Sequence, residues 1–551
     1  MTGPNWIEVL TLGDLLARTV ERSPDAEALV FADRRLTYAQ LDAQAVRRAR
    51  SLVALGVGKG DHVGILMPNC VEYVEIFLAC SLLGAWAVPI NSRYKALELG
   101  YVIENADLAV LVTTDDIDEF VDFIGLVNEA FPDLAAQENP RALTITGAPL
   151  LRNVVLFGSK SPGGVLQGAT FDALADDVPA EEIAVRRSRV AVRDVVLMMY
   201  TSGTTANPKG CPLSHEAVVR TAMEAARTRF ELTPTDRLWD PLPMFHMSFV
   251  LPFVGCVDAG AALLSMERFE PGNALAFMRD EKATVNFASF PTITQAFLSH
   301  PDFDASTLHF RLINNVAPPD LLRNMQAAMP FARQISAYGL TEAGGVVSFG
   351  EPDDNADQRA TTSGRPFRGI EVRIVDAEAN TPVATGQRGE IVIRGYCLFE
   401  GYYKDAEKNA EAFDSDGWFH SGDLGCVDHV GRISYLGRVK DMLKVGGENV
   451  AAVEIESHLQ THPSVLLAQV VAAPDAKYFE VAAAFVQLRP GAAATEDELI
   501  AHCSGAIASF KVPRHVRFVD AWPMSATKIQ KYRLRDAIAD ELLGAVRSAP
   551  H

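Results

Sequence analysis

Through roughly the first 190 residues, stretches of helical and strand-like spacing alternate. Leu36-Thr-Tyr-Ala-Gln-Leu opens a helix that Thr37 is placed to cap, and Asp61-His-Val-Gly-Ile-Leu-Met reads as a short buried strand. The uncharged apolar run from Ile76 to Ile90 is 15 residues long and reads as a buried helix running into a strand. Ala109-Val-Leu-Val-Thr-Thr and Asn153-Val-Val-Leu-Phe are further core strands. Between them, residues 132–151 carry Pro, Gly and Asn and are expected to form a mobile surface loop. A second alternating block runs from Val195 to about Val347. After it, Gly369-Ile-Glu-Val-Arg-Ile-Val-Asp and Gly389-Glu-Ile-Val-Ile-Arg-Gly have the period of two that marks half-buried strands of a sheet or small barrel. From Gly431 onward strands and helices follow compactly, with helical spacing over Val453-Glu-Ile-Glu-Ser-His-Leu. The expected class is α/β: a large N-terminal domain of stacked α/β subdomains plus a small β-barrel over 1–437, then a small α+β domain over 438–551.

Composition narrows the functional classes. The 551 residues allow two to four domains, and 48% hydrophobic with 22% charged residues is an ordinary globular balance. The formal net charge of −20 argues against a surface evolved for nucleic acid or anionic lipid, so an anionic ligand must be held by a local site. Seven cysteines, at 70, 80, 211, 256, 397, 426 and 503, include no C-x-x-C pair and read as reduced core thiols of a cytoplasmic protein. The N-terminus lacks a basic leader region, and the 15-residue apolar run falls short of the roughly 18 residues a membrane span needs, so no integral membrane segment is expected.

The most informative segment follows the apolar strand Val195 to Met199: Tyr200-Thr-Ser-Gly-Thr-Thr-Ala-Asn-Pro-Lys-Gly. Thr201, Ser202, Thr204 and Thr205 supply hydroxyls, Gly203 and Gly210 free the backbone, and Lys209 brings a cation, a set suited to surrounding a polyphosphate. It is not a Walker loop, because Lys209 precedes its glycine and lies six positions after Gly203.

With these residues the chain resembles the adenylate-forming superfamily, which includes the acyl-CoA synthetases, and the resemblance extends along nearly its whole length. Ala337-Tyr-Gly-Leu-Thr-Glu is similar to the family's second signature, which implies nucleotide contact for Tyr338, the α-phosphate for Thr341 and Mg²⁺ for Glu342. A hydroxyl beside a carboxylate suits one phosphate oxygen and one hard cation. Ser421-Gly-Asp-Leu-Gly resembles the segment whose aspartate accepts from the ribose hydroxyls, here Asp423. The stretch from Tyr435 to Asn449 resembles the interdomain hinge and its following loop, implying a nucleotide contact for Arg438, the hinge at Lys440 and the CoA tunnel at Gly446 and Gly447. Pro523-Met-Ser-Ala-Thr-Lys-Ile-Gln-Lys resembles the segment with the catalytic lysine, assigned to Lys528 rather than Lys531. By the same resemblance His246, in Pro241-Leu-Pro-Met-Phe-His, borders the carboxylate pocket, and Ala317 and Pro318 lie against the adenine.

Three places depart from the family pattern. Ala206 stands for a usual glycine, Asn314-Asn-Val-Ala-Pro replaces a Gly-Gly-Ala-Pro type turn and brings extra amides toward the acyl pocket, and the segment before Lys528 is one residue short. The resemblance implies ATP-dependent conversion of a carboxylic acid to acyl-AMP and then to a CoA thioester, with ATP, Mg²⁺ and CoA as cofactors and a mobile small domain. The expected partners are the small-molecule acid and CoA, with a homodimer as the assembly. Met247-Ser-Phe-Val-Leu-Pro-Phe and Asn286-Phe-Ala-Ser-Phe are apolar and aromatic, which favours a fatty, aryl or alicyclic acid, and no aspartate in Phe245 to Val250 awaits an amino group. Two alternatives stand beside this reading: an acyl-AMP ligase that loads a carrier protein, and a catalytically silent ATP-binding regulator.

Overall fold

The computed structural model describes residues 8–201, 207–445, 448–475, 478–504, 506–524 and 529–548. Two seven-stranded sheets dominate the large body. The first runs, edge to edge, Leu166–Gln167, Asn153–Phe157, Leu108–Thr114, His62–Leu66, Trp86–Pro89, Val195–Thr201 and Lys209–Ser214, parallel except for the final hairpin. The central strands His62–Leu66 and Leu108–Thr114 are buried at every position, as strands covered on both faces must be. The second sheet runs Arg333–Ile335, Leu312–Asn315, Val285–Ser289, Arg237–Trp239, Ala262–Leu264, Glu27–Val30 and Arg35–Thr37, again mostly parallel.

Helices Tyr38–Ala54, Val71–Leu83, His215–Thr228 and Met247–Ala259 contribute to a single core with residues of both sheets. Thr37 caps the first of these through a reciprocal box with Gln40. The expected helix into strand over Ile76 to Ile90 appears as Val71–Leu83 followed by Trp86–Pro89. Residues 132–151 are largely irregular, but they are not the loose loop expected. Leu134, Leu143, Ile145, Ala148 and Leu151 are buried, and Gln137 exchanges hydrogen bonds with the backbone of Thr144. Gly, Pro and Asn there interrupt regular structure without removing apolar anchors.

The strands Ile370–Val375, Gly389–Gly395, Phe419–Val427 and Ile433–Arg438 form an antiparallel four-stranded sheet. Arg438, which the sequence reading set at the head of the small domain, closes this sheet and pairs across it with Asp423. A turn at Val439–Asp441, containing the backbone of Lys440, leads to a separate sheet built from Met442–Val445, Glu448–Ala451, Val465–Asp475, Phe479–Leu488 and His515–Phe518, with its own core. Gly437 ahead of the turn has φ +124°, a conformation that a side chain would strain.

Candidate active site

The Val195–Thr201 and Lys209–Ser214 strands form a hairpin in which Thr201 pairs with Lys209. The hairpin thus brings Lys209 opposite Thr201 at the mouth of the loop, while Ser202, Gly203, Thr204 and Thr205 lie outside the described residues. The base is tied down from two sides. The Tyr200 hydroxyl donates to Asn105 Oδ1 at 2.6 Å, and the Tyr403 N–H donates to the Gly210 carbonyl at 2.8 Å.

Lys209 Nζ lies 5.0 Å from the ring centre of Tyr402, and the Tyr402 hydroxyl donates to Glu342 Oε1 at 2.9 Å. Burial, with Glu342 adding, raises the Tyr402 hydroxyl well above its ordinary pKa, so it stays protonated and remains a donor. Glu342 sits in the 3₁₀ turn Thr341–Ala343, and its carbonyl accepts the Phe399 N–H at 2.9 Å. Two glycines with positive φ, Gly344 and Gly345, follow the turn. A Cβ on Gly345 would lie 2.8 Å from Met247 and from Leu251, so this turn presses directly on the helix Met247–Ala259. Tyr402 was not singled out from the sequence. Its only local signal is the Gly401-Tyr-Tyr doublet, and no spacing rule connects it to a carboxylate 60 positions away.

A second cluster gathers Tyr338, Asp423 and Arg438. Asp423 is 3% exposed; its Oδ2 accepts from the Tyr338 hydroxyl at 3.0 Å, and Arg438 Nε lies 2.9 Å from its Oδ1. Ser421 Oγ accepts the Asp423 N–H at 3.0 Å and donates to the Ile391 carbonyl at 2.5 Å, while Arg438 Nη1 donates to the Ser421 carbonyl at 3.2 Å. Tyr338 stacks on Tyr435 with ring centres 6.0 Å apart. Burial would lower the Arg438 pKa, but Asp423, Tyr435, Glu342 and Tyr338 together outweigh it and the guanidinium is held more firmly charged than usual.

His246 stands at the N-terminal end of the helix Met247–Ala259, half-buried, its ring 4.6 Å from that of Phe245. The preceding loop leaves the carboxyl end of Arg237–Trp239, the point where the second sheet reverses its order of addition and where open α/β sheets form ligand crevices. Asn69 clamps that loop, donating to the Leu242 carbonyl at 2.9 Å and accepting the Met244 N–H at 2.9 Å, and the Tyr73 hydroxyl donates to the Met244 carbonyl at 3.0 Å. Beyond the helix lies a small apolar cavity of about 10 Å³, lined by Ala222, Ala225, Ala226, Phe230, Leu232, Leu238, Leu251, Pro252, Gly255, Phe287 and Phe349. Leu251 joins the cavity wall to the Thr341–Ala343 turn. Ala317 and Pro318, both half-buried, lead into the helix Pro319–Ala328.

Gly446, Gly447 and Lys528 lie outside the described residues. Lys531 is described: its Nζ lies 2.5 Å from Glu456 Oε1, inside the small body.

The family comparison decides what this arrangement belongs to. The AMP-binding enzyme family model matches residues 16–403, and the model of the AMP-binding enzyme C-terminal domain matches 454–528. The chain belongs to the AMP-binding enzyme family. It is 35% identical, over 96% of its length and 99% of the relative, to the 3-[(3aS,4S,7aS)-7a-methyl-1,5-dioxo-octahydro-1H-inden-4-yl]propanoyl:CoA ligase of Mycobacterium tuberculosis. It is 32% identical to the mitochondrial medium-chain acyl-CoA ligase ACSF2 of Rattus norvegicus over 97% of the chain and 88% of that protein. The fold superposes on the anthranilate CoA ligase AuaEII in complex with anthranoyl-AMP with a TM-score of 0.85 at 27% identity, covering 99% of this chain and 100% of that one. This AMP-binding enzyme is an AMP-forming acid–CoA ligase, which activates a carboxylic acid with ATP to acyl-AMP and then forms the CoA thioester. No helix among the described residues is long and apolar enough to cross a membrane.

Proposed function

We propose that this ligase acts on an apolar acid, fatty, aryl or alicyclic, and that the residues gathered above divide the work of its two half-reactions. The observation that carries the reading is the contact chain Lys209, Tyr402, Glu342, which sets a cation and an oriented carboxylate at the mouth of the hydroxyl-rich loop. Glu342 accepts from Tyr402 at one oxygen and retains lone pairs for a cation, and Mg²⁺ is commonly held by one or two carboxylates with the substrate's own phosphates. The residues present fit that ion, which would neutralise phosphate charge when bound.

In this reading Thr201, Ser202, Gly203, Thr204, Thr205 and Lys209 hold the phosphates, and Thr341 donates to the α-phosphate. Tyr338, Ala317 and Pro318 flank the adenine. Asp423, oriented by Arg438 and Tyr338, accepts the ribose hydroxyls with its remaining lone pairs. His246 borders the carboxylate. Lys528 supplies positive charge where the carboxylate and the α-phosphate, two anions, must approach. Phosphoryl transfer asks for this kind of positioning and charge stabilisation more than for covalent catalysis by the protein. The engagement of Lys531 by Glu456 supports Lys528 in that role.

The chain divides at the turn near Lys440 into a large body that runs through Arg438, one residue past the expected boundary of 1–437 and 438–551, and a small one that follows the turn. The small body swings about that turn so that Lys528 serves adenylation, and the loop with Gly446 and Gly447 admits the pantetheine arm for thioester formation. The small apolar cavity beyond Leu251 opens, by movement of the side chains that line it, to take the acid's hydrocarbon. The acids named for the two curated relatives, medium-chain and alicyclic, agree with an apolar occupant. Seven free cysteines support a cytoplasmic setting, and the proposed assembly is a homodimer, which light scattering on the purified chain tests.

The deciding experiment is pyrophosphate release against a panel of acids, with and without CoA. An apolar acid should release pyrophosphate and yield AMP and a thioester when CoA is present. Acyl-AMP that accumulates and is never taken by CoA would favour a carrier-protein acceptor.

A further inference from the structure

The face of the second sheet that borders the apolar cavity ends in a polar pair. Along Val285–Ser289, Val285 and Phe287 belong to the core shared with the helices His215–Thr228 and Met247–Ala259, whereas Ala288 belongs to the core on the opposite face. In the neighbouring strand Leu312 and Ile313 divide in the same way. The period of two puts Asn314 on the face of Leu312, and Ser289, which follows a register shift after Asn286, is brought to Asn314 by a side-chain hydrogen bond. Ser289 lies two residues beyond the cavity-lining Phe287, at the carboxyl end of its strand. That end holds the crevice and the turn of Thr341 and Glu342.

Asn314 is 1% exposed. Its Nδ2 donates to Ser289 Oγ at 2.8 Å, and its Oδ1 has no hydrogen-bond partner among the described residues. Ser289 is held at φ +52°, which serine seldom adopts, by the Val316 N–H donating to its carbonyl at 2.7 Å. A buried amide oxygen without a partner and a strained backbone both cost stability, and their coincidence at a crevice points to a role in binding.

We propose that Asn314 and Ser289 form a polar subsite in the acyl pocket, and that the acid carries an oxo or hydroxy group on its otherwise apolar skeleton. The inference rests on the ligase reading above and deepens it. The pair answers either group. With Ser289 accepting from Nδ2, the amide oxygen receives a substrate hydroxyl; with the amide turned over and the Ser289 hydroxyl donating to Oδ1, the NH₂ donates to a substrate carbonyl. Every side chain lining the cavity is apolar, so the polar group is read at this pair. A site with a buried polar group rejects an analogue that leaves it unpaired more strongly than a greasy pocket rejects a change in length.

The test uses the full chain and pairs of acids with one carbon skeleton, with and without an oxo or hydroxy group at successive positions. Pyrophosphate release gives kcat/KM for each member. The wild type should favour the oxygenated member by at least about tenfold at some position. Asn314→Leu should lose that preference and gain activity on the plain acid. Ser289→Gly, which accepts the positive φ and lacks the hydroxyl, should cut the preference severalfold, and it carries the test if Asn314→Leu does not fold by thermal melting. A wild-type ratio of one or less at every position, or a ratio kept in both variants, overturns the subsite while leaving the ligase reading in place. If no member of any pair releases pyrophosphate, both readings fall.

Discussion

At the nucleotide end of the crevice charged and hydroxylated side chains are held by one another: Glu342 by Tyr402, Asp423 by Arg438 and Tyr338, and Tyr402 beneath Lys209. At the proposed acyl end the cavity wall is apolar, and an amide–hydroxyl pair, Asn314 with Ser289, stands on the same sheet. The contrast follows from the forces each end must apply. Charge that develops on phosphoryl oxygens is stabilised only by donors fixed in advance, because reorienting them during the reaction costs what it would gain. An apolar chain asks only for a dry space of the right volume, which many combinations of side chains provide. Substitutions at the first end should therefore stop one chemical step, and substitutions at the second should change which acid is used.

The largest effect is expected at Lys528. Lys528→Ala should slow acyl-AMP formation by about a hundredfold to a thousandfold, the scale for removing one positioned charge donor, and leave thioester formation from supplied acyl-AMP nearly normal. Single-turnover assays of each half-reaction read this directly. Lys531→Ala should instead lower the melting temperature, since it releases Glu456, which is 5% exposed and also accepts the Val470 N–H. A selective adenylation defect in Lys531→Ala would move the catalytic role to that residue.

Gly255→Leu should divide acids by length. A Cβ there would lie 3.2 Å from the Ala226 Cβ and 3.8 Å from Leu232 Cδ1, so a leucine closes the cavity from the helix side. A loss of about tenfold or more in kcat/KM confined to longer acids is expected, the scale of a few methylenes in an apolar pocket. Equal loss across all acids would place the acyl chain elsewhere.

Tyr402→Phe should have a smaller effect at the nucleotide end. It removes one hydrogen bond to Glu342, about 1 kcal/mol, and should raise the Mg²⁺ needed for half-maximal rate severalfold with little change in preference among acids. A changed acid preference would blur the division between the two ends.

The mildest effect concerns pH and lies outside both. His215 is fully buried, its Nδ1 accepts the Leu12 N–H at 3.0 Å, and burial lowers its pKa to about 4. The folded chain therefore keeps it neutral while the unfolded chain protonates near 6.5, so its contribution to stability is present above that pH and declines from about 6.5 toward 4. His215→Gln should flatten the melting temperature over this window without altering either half-reaction at neutral pH.

Much of the nucleotide end was legible in the sequence because it lies in contiguous motifs. Asp423 and Arg438 meet because their strands are neighbours in an antiparallel sheet, and Thr201 meets Lys209 across one hairpin. The fully buried strands were legible too, since burial on both faces leaves an unbroken apolar run. The partners that complete the site were not. Tyr402 and Glu342 are brought together by tertiary packing, and Asn314 with Ser289, 25 positions apart, meet only where two neighbouring parallel strands shift register. The stretch 132–151 was misjudged for a related reason: Gly, Pro and Asn report the loss of regular structure, whereas Leu143, Ile145 and Leu151 are anchored by a surface formed elsewhere in the chain.

The central claim is that the acid's carboxylate attacks the α-phosphorus of ATP. The most direct measurement is mass spectrometry of the AMP formed from an acid labelled with ¹⁸O in its carboxylate, with CoA present. Attack at the α-phosphorus leaves one carboxylate oxygen on AMP when the thiol displaces it, so the account requires AMP carrying one ¹⁸O per turnover. Unlabelled AMP alongside thioester product would contradict it.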